Sequence, residues 1–265
     1  MLNKPSIKLF TTFALILLAS QVSLASTAQD RGLEISKEMK TRDAGWGDNT
    51  AGMSMLLRNQ YGDESIRELH IKTLEQDNEG DKSLTIFSHP KDVKGTAFLS
   101  FSHTLSDDDQ WLYLPALKRV KRISSSNKSG PFMGSEFSFE DLSSFEIEKY
   151  NYEYLSDERV NNIDSYKIIQ YPVDKNSGYT RRLVWVDKLE YRLQKVEFYD
   201  RKNALLKTLL YSDYQLYLGQ YWRANNMQMT NHQSGKTTEL KWRDYAFKVG
   251  LKESDFKKNA LKRAR

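Results

Sequence analysis

The chain contains no cysteine in its 265 residues. No disulfide staples it, and no thiolate metal site or thiol nucleophile exists. The same absence removes the lipid-attachment cysteine of a bacterial lipobox, so the chain is not itself a lipoprotein of that kind. Histidine is nearly as scarce. His70, His89, His103 and His232 are the whole set, and no two stand at His-x-x-x-His spacing. There is no Gly-x-Ser-x-Gly elbow, Walker loop or dinucleotide fingerprint. Asp107-Asp-Asp109 lacks the spaced ligands of an EF-hand loop and reads as a hairpin turn. Carboxylates are plentiful, so the inventory leaves glycosidase chemistry open. The expectation is a protein that is not an enzyme and needs neither metal nor cofactor.

Long apolar runs are also missing after the N-terminus, and no later segment suffices for a membrane-spanning helix. At the N-terminus, Lys4 and Lys8 precede an apolar run from Leu9 to Ala19. Ser23-Leu-Ala25 then offers small residues for cleavage, with Ser26-Thr-Ala28 as a second candidate. The run is too short for a comfortable anchor. A cleaved signal peptide over 1–25 and one domain over 26–265 are expected. The formal charge is +5, or +3 once Lys4 and Lys8 are set aside, because residues 1–25 hold no acid. That mild balance, with export, argues against a nucleic-acid partner.

What the chain has in quantity is alternation. An amphipathic helix is expected over 30–43, with Gly32 close to its start. From Met53 onward, alternating segments recur with short polar turns such as Asp77-Asn-Glu-Gly-Asp, Asn161-Asn and Asn176-Ser-Gly. Expected strands include Trp111–Leu114, Phe145–Tyr154, Tyr166–Tyr171, Arg182–Val186 and Leu205–Tyr217. This spacing means an antiparallel sheet or barrel, not a parallel βαβ fold. Pro90-Lys-Asp-Val is expected to form one turn. Ser138-Phe-Glu-Asp-Leu-Ser-Ser begins as a helix should. Trp46, between two glycines, is expected to fold onto a barrel rim, and the C-terminal cations to form a solvated tail.

Several strands are apolar on both faces. Leu183 and Trp185 alternate with Val184 and Val186, a pattern that suits either a ligand-holding barrel or a sheet covered on both sides. Met227 and Met229 add adaptable thioether surface. The densest group lies between Asp109 and Leu142. Trp111 and Tyr113 precede a break at Pro115. Lys118, Arg119, Lys121 and Arg122 follow on a second strand, two facing each way. Phe132, Met133, Phe137 and Phe139 surround a loop with Gly130 and Gly134. Such a loop suits a greasy gate or a packed plug. The cations suit a lipid phosphate or an acidic partner, or simply guard a strand edge.

The run DQWLYLPALKRVKRISSSNKSGPFMGSEFSFEDL resembles the signature of exported bacterial proteins known as outer-membrane lipoprotein-sorting proteins, relatives of the LolA/LolB periplasmic carriers. The likeness extends in pattern from about Ala44 to Tyr245. It implies a mainly β fold: a single, incompletely closed antiparallel barrel with helices over an apolar concavity. It also implies a periplasmic carrier or chaperone that shields a lipid or the acyl chains of a lipoprotein. The implied partners are that cargo, an inner-membrane exporter of the RND type and transient membrane contact. On this reading Trp111, Tyr113, Phe132, Met133, Phe137, Phe139, Trp185, Met227 and Met229 line the cavity or its gate. Lys118, Arg119, Lys121 and Arg122 meet a headgroup or a partner. The rival expectations are a structural accessory of an envelope complex, whose concavity is only core, and an envelope-polymer hydrolase.

Overall fold

The computed structural model describes residues 26–77 and 79–263, so the leader expected over 1–25 lies outside the described residues. Helix α1 (Ala28–Arg42) starts on Thr27, whose hydroxyl accepts from the Asp30 N–H at 3.1 Å. The Asp30 carboxylate accepts in turn from the Thr27 N–H at 3.2 Å. This reciprocal cap sets the start two residues earlier than the apolar periodicity suggests. Gly32 is a packing requirement. A Cβ there would lie 2.9 Å from the backbone of Glu153 and Tyr154, so the helix rests directly on a strand.

Thirteen strands follow. They are β1 (Asp48–Arg58), β2 (Glu64–Leu74), β3 (Lys82–His89), β4 (Ala97–Phe101), β5 (Asp109–Leu114), β6 (Arg119–Ile123) and β7 (Tyr150–Val160). The chain continues with β8 (Ile163–Pro172), β9 (Tyr179–Asp187), β10 (Leu193–Asp200), β11 (Leu205–Tyr217), β12 (Tyr221–Asn231) and β13 (Thr237–Phe247). All pair antiparallel in one sheet of order β6-β5-β4-β3-β2-β1-β13-β12-β11-β10-β9-β8-β7. The chain starts at the sheet's centre and meanders outward to the β6 edge. It then crosses to the far edge at β7 and meanders back until β13 closes on β1. β6 and β7 do not pair with each other, so the sheet is curled but open.

Alternation divides the side chains between two faces. Leu69, Phe98, Leu112, Val184, Val196, Leu209, Met229 and Leu240 come from strands far apart in the sheet, yet share one buried cluster. Only a sheet wrapped around that face brings them together. The outer face of β3–β5 has its own small core of Leu84, Ile86, Ala97 and Leu99. Phe256 and Leu261 cover it at 2% and 1% exposure. The expected solvated tail is thus corrected. Its cations Lys252, Lys257, Lys258 and Lys262 are exposed, but the apolar residues between them strap the segment to the sheet.

One strand and one helix expectation also shift. β7 begins at Tyr150, not Phe145, because Ile147–Lys149 forms a 3-10 turn at the end of the crossover. The Ser138 helix is a single 3-10 turn, Phe139–Leu142, whose Ser138 N–H donates to the Asp141 carboxylate at 2.7 Å. Pro90-Lys-Asp-Val forms the expected turn.

Candidate functional site

The crossover from β6 to β7, residues 124–149, roofs the concave face. Its first part is a tight hairpin, in which the Phe132 N–H donates to the Phe137 carbonyl at 2.7 Å and Pro131 bridges Ser138. Met133 and Gly134 both take positive φ at its tip, so Gly134 serves a turn. Phe132, Phe137 and Phe139 are 1%, 4% and 9% exposed. Phe132 packs on Phe98 with ring centres 5.2 Å apart and edge-on to Phe139 at 5.7 Å.

A buried ion pair fastens this roof to β11. Lys207 Nζ stands 2.6 Å from Asp141 Oδ2, both side chains being 5% exposed, and donates to the Glu136 carbonyl at 2.9 Å. The Tyr179 hydroxyl donates to the same carboxylate at 2.8 Å. Burial pushes Asp141 up, but the Lys207 charge and the hydrogen bonds outweigh it and hold the carboxyl below its usual range. Burial drives the Tyr179 phenol well above its own.

Between roof and sheet lie two adjoining chambers of about 520 and 610 Å³, each within the usual range for a small-molecule site, roughly 300–1,000 Å³. The first lies between the inner face of β8–β11, with Val184, Val196, Phe198 and Leu209, and the second half of the crossover. The second lies beneath the C-terminal turn of α1, against Tyr214, Trp222, Met227, Trp242 and Tyr245. Met39, Ser144, Phe145, Leu193 and Tyr211 line both. Trp242 and Tyr245 reach one chamber although three residues apart, because Asp244 takes φ 55° and a bulge shifts the β1–β13 register.

Cations line both chambers, and almost all are matched by acids. In the first, Lys128 pairs with Asp174 and Lys149 with Asp108; Lys175 is exposed. In the second, Lys40 pairs with Glu146, Arg42 with Glu38, Arg192 with Asp187 and Arg223 with Asp43. Arg192 also stacks on Trp222, and Arg223 lies 5.8 Å from the ring of Trp46, itself buried at the chamber wall. Arg182 differs. It donates to Gln170 Oε1 at 2.5 Å and lies over the Tyr150 ring at 4.1 Å. Its Nε is buried without a hydrogen-bond partner, and it has no carboxylate partner among the described residues. An unmet buried donor costs about 1–3 kcal/mol. Burial pushes the Tyr150 and Tyr211 phenols up, and the Arg182 charge pulls both partly back.

The structure separates the aromatics that the sequence groups. Phe132, Phe137 and Phe139 belong to the inner core, with Met133 against it. Trp111 and Tyr113 point to the outer face, packed on the cluster beneath the C-terminal strap, with Lys258 Nζ 5.4 Å from the Trp111 ring. Alternation requires this, because their neighbours Leu112 and Leu114 face inward. Trp185 also lies outside the inner core. Its indole donates to Glu158 at 2.8 Å, and Lys195 stands 3.7 Å above the ring. Met227 lines the second chamber, and Met229 is fully buried in the inner core. Lys118, Arg119, Lys121 and Arg122 are exposed on the β6 edge, where Arg122 pairs with Asp109 at 2.5 Å. Sequence reasoning missed Arg182, although one signal was available: it shares parity with Val184 and Val186, a cation at an inward position.

These features define a LolA-like half-open barrel, roofed by a helix and a crossover over paired chambers. A family model described as a "-like" uncharacterized protein matches residues 79–263. A provisionally assigned outer-membrane lipoprotein-sorting protein domain from Vibrio parahaemolyticus is 61% identical. That match covers 88% of this chain and 99% of the other, with a TM-score of 0.87. A DUF1329 family protein from Desulfovibrio piger is 29% identical over 89% of this chain and 99% of its own, with a TM-score of 0.85. A LolA superfamily protein from Nitrosomonas europaea shares the fold at 22% identity and a TM-score of 0.69, covering 89% and 99%. No curated protein matches the chain. The chain belongs to the outer-membrane lipoprotein-sorting protein family.

Proposed function

We propose that the protein is a periplasmic carrier, exported by its leader, that shields a lipid or the acyl chains of a lipoprotein. The observation that carries this reading is the pair of adjoining chambers, walled by apolar and aromatic side chains between a curled sheet and a roof. Family membership supports it. The work of the protein is then solvation. Each methylene moved from water into the chambers contributes about 0.8 kcal/mol, and a chain crossing from one chamber to the other gains this along its length. Release follows from transfer to a site of higher affinity or from displacement of the roof. No covalent step is needed. An inner-membrane exporter of the RND type is the partner that the resemblance implies, with transient contact at a membrane surface.

Native mass spectrometry of the protein purified from periplasm, followed by lipid extraction, tests this. A bound species of lipid mass that is lost on extraction is the expected result. A protein that arrives empty, takes up no acyl probe and captures only protein partners is instead an accessory of an envelope complex.

A further inference from the structure

We propose that Arg182 receives the anionic head of an amphiphile, a carboxylate or a phosphate, whose alkyl tail occupies the apolar walls of the two chambers. This rests on the carrier reading and names the class of ligand. Arg182 stands on β9 with its side chain on the concave face, between Gln170 of β8 and Phe198 of β10 in register. Every other cation lining either chamber, apart from exposed Lys175, is matched by a carboxylate. Among the described residues Arg182 has one acceptor, Gln170 Oε1, and its buried Nε has none.

A guanidinium presents five donors in a planar fork that matches carboxylate and phosphate oxygens. Stacking on Tyr150 holds the plane of that fork in place. An anion here meets a guanidinium that pairs with no carboxylate among the described residues. Of the acids that line the first chamber, Asp141 pairs with Lys207, Asp174 with Lys128 and Asp108 with Lys149; Asp107 accepts from the Ser125 hydroxyl, Glu140 accepts from the Ser177 hydroxyl and the Gly178 N–H, and Glu148 is exposed. Beyond the head, Val184, Val196 and Leu209 line the first chamber, and Leu193 and Tyr211 lead into the second. A charged head and an apolar path thus share one cavity.

Isothermal titration of the intact mature protein near neutral pH, with dodecanoate, dodecanol and inorganic phosphate as probes, tests the assignment. Dodecanoate should bind at least about tenfold more tightly than dodecanol, the scale of a charge-assisted hydrogen bond. Arg182→Gln should erase that preference while leaving dodecanol affinity within about twofold, and Arg182→Lys should keep part of it. Inorganic phosphate alone should not bind where dodecanoate saturates. Equal affinity for acid and alcohol in the wild-type protein overturns the head assignment and leaves the carrier reading standing. A preference that survives Arg182→Gln does the same. Phosphate binding as tightly as dodecanoate would mark a free-anion site instead. Failure of both alkyl probes sinks the carrier reading and this inference together. Should Arg182→Gln fail to fold, Arg182→Lys carries the assignment, because it keeps the charge and loses the fork, and an undiminished preference there would overturn it.

Discussion

Phe137 and Phe139 carry the sharpest test at the scale of single residues. Both are buried in the inner core, Phe139 against the rings of Phe98 and Phe132, and neither is among the side chains lining the chambers. Truncating either to Ala should lower unfolding free energy by about 3–5 kcal/mol, the range for a buried aromatic. Ligand capture per folded molecule should stay unchanged. Loss of capture at unaltered stability would instead make them the gate that their glycine-containing loop suggests. Lys207 is the second point of leverage. Lys207→Met leaves the Asp141 carboxylate buried beside Tyr179 without its cation, a loss of about 3–5 kcal/mol. Adding Asp141→Leu should recover part of it, read from urea midpoints, because the uncompensated charge leaves with the side chain.

At the scale of elements, α1 depends on contact at Gly32 and on its cap. Gly32→Val places carbon against the β7 backbone where even a Cβ stands at 2.9 Å. Overpacking of this kind costs about 1–3 kcal/mol. Since α1 also roofs the second chamber through Met39 and Lys40, the variant should lose both stability and acyl uptake; normal uptake would show that the helix is dispensable to the cavity. The cap bears on processing as well. Cleavage after Ala25 leaves Thr27 in place to close the helix, whereas cleavage after Ala28 removes it, at a cost of about 1 kcal/mol. Intact mass of the exported protein should therefore show loss of residues 1–25. A full-length membrane-held product would refute export with cleavage. The β6 edge, with Lys118, Arg119 and Lys121 exposed, presents charge where an unpaired strand would otherwise recruit another.

Over the whole molecule, stability is coupled to pH at the wall of the second chamber. Asp81, half-buried at the wall of the second chamber, is pushed up to about 7, chiefly by burial. Lys40 opposes the shift, and Glu146 and Glu75 add to it. Below the ordinary carboxyl range both folded and unfolded chains hold the proton, so the folded state carries no penalty there. As pH rises toward 7 the unfolded chain ionises first, and stability falls before levelling above the folded value. The decline should amount to about 1–3 kcal/mol once partial exposure is allowed for. Asp81→Asn, which mimics the protonated form, should flatten it. Urea midpoints measured from mildly acidic to mildly alkaline pH read this directly, and an unchanged slope in the variant would exclude Asp81 as its source.

Much of this fold is legible in the linear chain because alternation and turn chemistry are local. The strand, Pro115 break and cationic strand at Asp109–Ile123 stand as β5 and β6, and the absence of helical periods between strands correctly excludes a parallel sheet. Alternation also assigns Trp111 and Leu112 to opposite faces. It cannot say which face is concave, since parity carries no sign of curvature. That sign puts Trp111 and Tyr113 under the C-terminal strap and Leu112 in the core. Nor does local pattern reveal that β1 pairs with β13, which forces residues 124–149 to cross from one edge to the other and turns an aromatic loop into a roof. The standing of Arg182 is decided the same way. A cation at an inward position is visible in the sequence, but whether an acid meets it depends on which side chains the curled sheet and its roof bring within reach.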